Sequence, residues 1–200
     1  SANLDNALEA LTLSGRSVLH AMMMLVPEAW RARDDITRQA KDFYEYNECF
    51  SEAWDGPAAL IFTDGLTVAA TLDRNGLRPA RYKITSTGLI VLGSEVGALE
   101  IDDALVVEKG RLGPGQMIAV DTARGILLKD LEIKNEIGAH KPYSEWVRNI
   151  TKLPRLQNVH DHADAALPAD DLVRSQVCFG YGAEELSTLF KPMMEDAKEP

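Results

Sequence analysis

Asp73-Arg74-Asn75-Gly76-Leu77-Arg78-Pro79, followed at one strand pair's distance by Ser94-Glu95-Val96-Gly97-Ala98-Leu99, decides how this chain is read. Asn75-Gly76 is the dipeptide that most favours a tight turn with positive backbone dihedrals, and it lies between two runs of strand character, so it predicts a hairpin. Pro79 then opens the next strand, where its missing amide is harmless. The polar residues at 73, 74 and 78 fit a solvated hairpin tip, and they equally fit a site built on the turn; by spacing alone the tip is the commoner use of such residues.

Outward from the turn, residues 58–63, 66–72, 80–85 and 89–94 are short runs rich in Ile, Val, Leu and Thr, separated by Asp64-Gly65, by the Asn75-Gly76 turn and by Ser86-Thr87-Gly88. That punctuation predicts an antiparallel meander. Val106-Val107 and residues 117–120 and 126–128 continue the strand pattern, with Gly110, Gly113-Pro114-Gly115 and Asp121-Thr122 between them. Several of these strands are apolar on both faces, which requires cover on both sides, by helices or by a second sheet. A layered α+β sandwich follows.

Before the strands, Leu4, Leu8 and Leu11 recur at helical spacing, and the helix should end at Ser14-Gly15, where glycine suits a left-handed cap. Residues 20–27, with Met22-Met23-Met24-Leu25-Val26 inside them, are apolar without a helical stripe and stop at Pro27; they read as a buried strand. Asp34 and Asp35 are candidate caps for a second helix that buries Ile36, Ala40, Phe43, Tyr44 and Phe50 and turns Arg38, Lys41, Glu45 and Glu48 outward. Asp55-Gly56-Pro57 closes that region. After about residue 130 the chain becomes polar and helical (131–137 and 143–150), then apolar-poor over 154–171, and resumes an apolar pattern over 172–179 and 184–194. The part after about Asn135 reads as a connector.

Composition narrows the function classes. With 21 Lys and Arg against 31 Asp and Glu, the net charge of −10 argues against a nucleic-acid partner. The longest apolar run is far below the ~20 residues that span a bilayer, so no membrane role is expected, and no signal peptide is evident. Cys49 and Cys178 stand alone, without Cys-x-x-Cys or histidine spacing, which speaks against a disulfide framework, a zinc site or an iron–sulfur cluster held by this chain. Each thiol reads as a buried small hydrophobe rather than a nucleophile. The chain opens on Ser1 and closes on Lys198-Glu199-Pro200, and both ends read as cut from something longer.

Other constellations carry less. His160-Asp161-His162-Ala163-Asp164 has the residue types of a metal site but no third anchored ligand, and reads as a solvated linker. His20, at the head of the apolar run, fits a hydrogen-bonded structural residue. No serine lies in a Gly-x-Ser-x-Gly elbow. Gly110-Arg111-Leu112-Gly113-Pro114-Gly115 opens no helix and reads as a turn rather than a phosphate cradle. The methionines fill core gaps.

The pair Asp-Arg-Asn-Gly-Leu-Arg-Pro and Ser-Glu-x-x-Ala-Leu resembles the hairpin and following strand of class II glutamine amidotransferases, N-terminal-nucleophile hydrolases that release ammonia from glutamine. Three further stretches sharpen the resemblance: Leu13-Ser14-Gly15-Arg16-Ser17; His20 to Trp30, with Val26-Pro27-Glu28-Ala29-Trp30 at its end; and Trp54-Asp55-Gly56-Pro57-Ala58-Ala59. With Glu108-Lys109-Gly110-Arg111-Leu112-x-Pro114-Gly115 they look like the large (alpha) chains of glutamate synthases. The resemblance implies that residues 1–135 are the C-terminal part of the amidotransferase domain, part of a four-layer αββα sandwich. Residues 136–200 would be a helical connector and the start of a central domain. It implies an enzyme that moves the glutamine amide nitrogen to 2-oxoglutarate, with FMN and a 3Fe-4S cluster elsewhere in the parent. Partners would be the rest of the large chain and an NADPH-oxidising small subunit or ferredoxin, in the cytoplasm or plastid stroma.

The departures from the family pattern limit what carries over. The family nucleophile is an N-terminal cysteine activated by its own α-amine, whereas Ser1 aligns well inside the domain. The Asn-Gly of the oxyanion hole and the arginine that holds the substrate carboxylate are expected before this chain, and the aspartate that holds the substrate amino group immediately before Ser1. Asn75-Gly76 is not that Asn-Gly. No catalytic, substrate-binding or metal residue is therefore assigned within the chain, which is expected to be silent alone. The alternatives are a non-catalytic α+β binding module, or another class II amidotransferase such as the phosphoribosyl type.

Overall fold

Residues 20–27 are largely helix, not strand: α2 (Val18–Leu25) buries nearly every side chain it carries. A helix apolar all round shows no stripe. Ala, Met and Leu are strong helix formers, and Ser17 caps the start, its Oγ accepting from the His20 amide at 3.2 Å. The absence of periodicity thus marks complete burial rather than extended backbone. The computed structural model describes residues 2–95, 97–151 and 168–197, divided into two compact units, Ser1–Thr151 and Lys152–Pro200.

In the first unit α1 (Ala2–Leu13) packs on α2, and a 3₁₀ turn (Trp30–Ala32) leads to α3 (Arg38–Asn47). Thr37, not Asp34 or Asp35, caps α3: its Oγ1 accepts from the Ala40 amide at 3.2 Å. Asp35 is taken instead by Arg33. The predicted inner face is correct for Ile36, Ala40, Phe43 and Tyr44, while Phe50 lies beyond the helix end and is exposed.

Among the described residues seven strands follow, β1 (Ala59–Thr63), β2 (Thr67–Leu72), β3 (Arg81–Thr85), β4 (Ile90–Gly93), β5 (Val106–Arg111), β6 (Met117–Asp121) and β7 (Ile126–Lys129). They form two antiparallel sheets, of order β1-β2-β6-β7 and β4-β3-β5. The expected meander therefore holds for the β1–β2 and β3–β4 hairpins but breaks at Asn75-Gly76. That turn carries the chain from one sheet to the other and closes no hairpin.

Alternation along the strands explains the layering. Phe62, Ala69, Met117 and Ala119 face the helices and join α2, α3, α4 (Asp130–Ala139) and Tyr143 of α5 (Tyr143–Arg148) in one core. Their neighbours Ala70, Leu72 and Ile118 face the second sheet, packing with Ala80, Leu112, Tyr82 and Leu92. The four-stranded sheet is thus covered on both faces, by helices and by a sheet, and the layers run α, β, β. This α+β arrangement is the order expected of an αββα sandwich.

Helices α4 and α5 pack on α3, and Ile133, Ile137 and Tyr143 are buried there, so the compact unit extends to Thr151. The second unit contains α6 (Ala169–Cys178), α7 (Ala183–Glu185), a π-helical turn (Leu186–Phe190) and α8 (Lys191–Asp196). Tyr181 stacks edge-on against Phe190 with ring centroids 4.7 Å apart.

Candidate functional site

The motif-bearing loops, far apart in sequence, converge on the buried residue Asp73. Its carboxylate accepts from the amides of Ala58 at 3.0 Å and Asn75 at 2.9 Å. Its carbonyl accepts from the amides of Gly76 at 3.1 Å and Gly115 at 2.8 Å. One aspartate therefore ties the Trp54–Ala59 segment, the Asn75-Gly76 turn and the Gly113-Pro114-Gly115 turn together, and an Arg74–Asp55 ion pair closes the same junction on the outside. Trp54 adds a fourth segment, its amide donating to the Leu25 carbonyl at the end of α2 at 2.8 Å.

Gly76 has φ +62°, but Arg74 and Asn75 do not have positive φ. The turn is thus not the hairpin type that Asn-Gly favours, which needs positive φ at both central residues. A second constraint acts on Gly76, since a Cβ there would lie 2.6 Å from Pro114 Cα. Backbone conformation and close approach both require glycine.

Behind this junction lies a buried ionic cluster. Lys134 directs its three donors at the Gly115 carbonyl (2.8 Å), Glu28 Oε1 (2.8 Å) and Asp130 Oδ1 (2.6 Å). Arg33 reaches Glu28 at 2.6 Å and Asp130 at 2.7 Å through one nitrogen and grips Asp35 through two others. Asp130 also accepts from the Met117 amide at 2.9 Å, and the Tyr44 hydroxyl donates to Glu28 at 3.3 Å. Charges this deeply placed are tolerated only when paired and hydrogen-bonded. Among the described residues no buried side-chain polar atom lacks a partner.

The electrostatics agree. Hydrogen bonding by Arg33 holds the Asp35 carboxyl down to about 2. Arg33 itself is raised, first by Asp35 and against its own burial, with further help from Asp130 and Glu28. Burial, then the charge of Glu28, pushes the Tyr44 hydroxyl well above its ordinary value. The side chains of the cluster spend their hydrogen bonds on one another and on the backbone. It is a clamp that fixes the segment between α2 and α3, Tyr44 of α3, and α4 to the Gly113–Gln116 turn and the start of β6.

The residues singled out by sequence fall as follows. Cys49 and Cys178 are both exposed, contrary to the buried position expected of them; Cys49 lies just past the end of α3, where the chain has left the core. His20 stands on α2, half-buried, with its ring edge-on to Phe43 at 5.1 Å. The Gly110–Gly115 stretch is the end of β5 and a turn. The 160–164 cluster lies outside the described residues, and among those described no group of three or more potential ligands could hold a metal ion. Sequence reasoning missed Arg33, Asp130 and Lys134. Only the i, i+4 spacing of Asp130 and Lys134 signalled a pair, and it is indistinguishable in sequence from an exposed one.

With that geometry in place, comparison with known proteins gives the class first. The family of class-II glutamine amidotransferases matches residues 1–146, and the chain belongs to it. More particularly, the whole chain is similar to glutamate synthases. It is 43% identical over 203 residues to the ferredoxin-dependent glutamate synthase 1, chloroplastic/mitochondrial, of Arabidopsis thaliana. It is 46% identical over 205 residues to the ferredoxin-dependent glutamate synthase 2 of Synechocystis. It is 43% identical over 203 residues to the NADPH glutamate synthase large chain of Azospirillum brasilense. The matches cover 100% of this chain but only 12–13% of each relative's length.

Proposed function

We propose that this chain is the later part of the amidotransferase domain of a glutamate synthase large chain, together with the start of the segment that follows it. The full-length similarity at 43–46% identity is the observation that carries this reading. The loops that carry the resemblance meet at Asp73, so the matching motifs share one place in the fold, which is consistent with that reading.

In that reading the parent protein hydrolyses glutamine at an N-terminal cysteine lying upstream of Ser1. The nitrogen passes to 2-oxoglutarate, with reducing power from NADPH, NADH or ferredoxin. The residues of this chain position rather than react. Asp73 and the Glu28–Arg33–Asp130–Lys134 cluster hold the two sheets and the helical layer in register, and the pocket for glutamine is completed by residues beyond this chain. FMN and the 3Fe-4S cluster belong to other parts of the parent; two cysteines do not supply the thiolates that such a cluster takes. The domain division proposed at residue 135 is carried by the resemblance, and the connector beyond it leads toward the central domain. The parent works in the cytoplasm or the plastid stroma; some relatives are named chloroplastic, and among the described residues no helix is long and apolar enough to cross a membrane.

Incubating the 200-residue chain with glutamine and measuring glutamate release tests the assignment of the nucleophile. No release above the uncatalysed background is expected. Turnover abolished by Cys49→Ser or Cys178→Ser would overturn it.

A further inference from the structure

A cavity of about 620 Å³ in the first unit lies where the α1–α2 loop, the end of α3 and the α4–α5 junction meet. Its lining carries four nitrogen-bearing side chains, Arg16, His20, His140 and Lys141, and two serines, Ser14 and Ser17. No carboxylate lines it among the described residues, although the chain as a whole has 31 acidic residues against 21 basic ones. Arg16 is held by a hydroxyl, donating to Ser14 Oγ at 2.7 Å, so the bond orients its guanidinium without neutralising it.

The same lining is rich in aromatic residues. Trp146 contacts Tyr46 and Tyr143 with ring centroids 4.8 and 5.3 Å apart, and Phe50 meets Tyr46 at 5.0 Å. The His20 imidazole belongs to the same lining. Burial first, then the positive charge of Arg16, His140 and Lys141, lowers its pKa to about 4. Arg16 and Lys141 with no carboxylate in the same lining, together with aromatic side chains, are complementary to an anion with an apolar body.

We propose that this cavity binds a small organic anion, its carboxylate or phosphate head against Arg16 and Lys141 with His20 and His140 alongside, its apolar body against Trp146 and the exposed ring of Phe50. The proposal goes beyond the nitrogen-transfer reading and does not depend on it. Arg16 supplies a planar, bidentate donor that suits either head group, and Lys141 a mobile point charge. The aromatic side chains supply the apolar burial that separates this ligand from inorganic ions.

Phenyl phosphate, benzoate and uncharged benzyl alcohol, added in turn to the 200-residue chain while the His20 and His140 ring resonances are followed by NMR, test it. Saturable shifts are expected with at least one anion, in the range of about 0.1–5 mM, and none with benzyl alcohol; which anion binds tells a phosphate from a carboxylate ligand. Arg16→Gln should weaken binding about tenfold. Lys141→Glu, at an exposed position that leaves the packing untouched, should abolish it, with the near-UV circular dichroism unchanged. The proposal is overturned if neither anion gives a saturable shift, if benzyl alcohol binds as well as the anions, or if folded Lys141→Glu binds as tightly as the parent chain.

Discussion

Lys134 Nζ lies 2.8 Å from the Glu28 carboxylate, although Glu28 precedes the first strand and Lys134 follows the last. The two side chains are only 1% and 2% exposed, and the same ammonium group holds Asp130 and the Gly115 carbonyl. Removing one partner of a buried pair leaves the others uncompensated. Lys134→Ala should therefore cost about 3–5 kcal/mol, read as a lower midpoint in chemical denaturation. A loss below about 1 kcal/mol would mean that the cluster is solvated in solution.

Gly76 and Gly65 both have positive φ, at +62° and +91°, but only Gly76 has a neighbour in the way: a Cβ added there would meet Pro114 at 2.6 Å. Gly65→Ala should cost only the backbone strain, about 1 kcal/mol. Gly76→Ala should cost clearly more, and Gly76→Val about 3 kcal/mol or more, because the two sheets are joined at that point. Equal thermal shifts for Gly65→Ala and Gly76→Ala would show that the Pro114 contact is not retained.

Tyr82 lies over Gly110, its cross-strand partner, so closely that a Cβ on Gly110 would come within 2.4 Å of the ring. The hydroxyl donates to Glu108 at 2.9 Å, which also receives Lys129 at 2.7 Å. Gly110→Ala should destabilise by about 1–3 kcal/mol through overpacking. In the Tyr82→Ala background the same change should cost much less, and a thermodynamic cycle of the four proteins measures that coupling.

The stability of the first unit should depend on pH through His20. Its pKa is lowered from 6.5 to about 4, by burial and then by Arg16, His140 and Lys141, so between those two values the unfolded chain binds a proton that the folded one refuses. Stability is complete above about pH 6.5 and falls as the pH drops toward 4. Because the ring is only partly buried, the loss should be about 1–2 kcal/mol. His20→Gln should flatten this part of the profile, measured by urea denaturation at about pH 7 and again near pH 4.5.

The strands were legible because turn residues punctuate them and their apolar content changes period at residue 58. How they divide between sheets was not, because Asn75-Gly76 has the same local chemistry whether it closes a hairpin or crosses between layers; what separates the cases is Pro114, nearly forty residues away. The helical character of α2 was hidden for the opposite reason. Periodicity records a difference between two faces, and Met22, Met23 and Met24 are all buried, so no difference was left to read. The motifs near Trp54, Asp73 and Gly110 were visible as a family signature, yet their common meeting point at Asp73 depends on backbone amides, which sequence does not display. Lys134 looked like one polar residue on a polar helix until packing placed it against Glu28.

The proposed role of this chain is to supply the later part of a glutamine-hydrolysing domain whose nucleophile comes from the rest of the parent protein. The direct measurement is glutaminase activity of the Azospirillum brasilense large chain in which the matching 203-residue segment is replaced by this chain. The folded chimera should release glutamate from glutamine, and Asp73→Ala within the transplanted segment should severely reduce that rate. A chimera that folds and assembles like the parent yet releases no glutamate would contradict it.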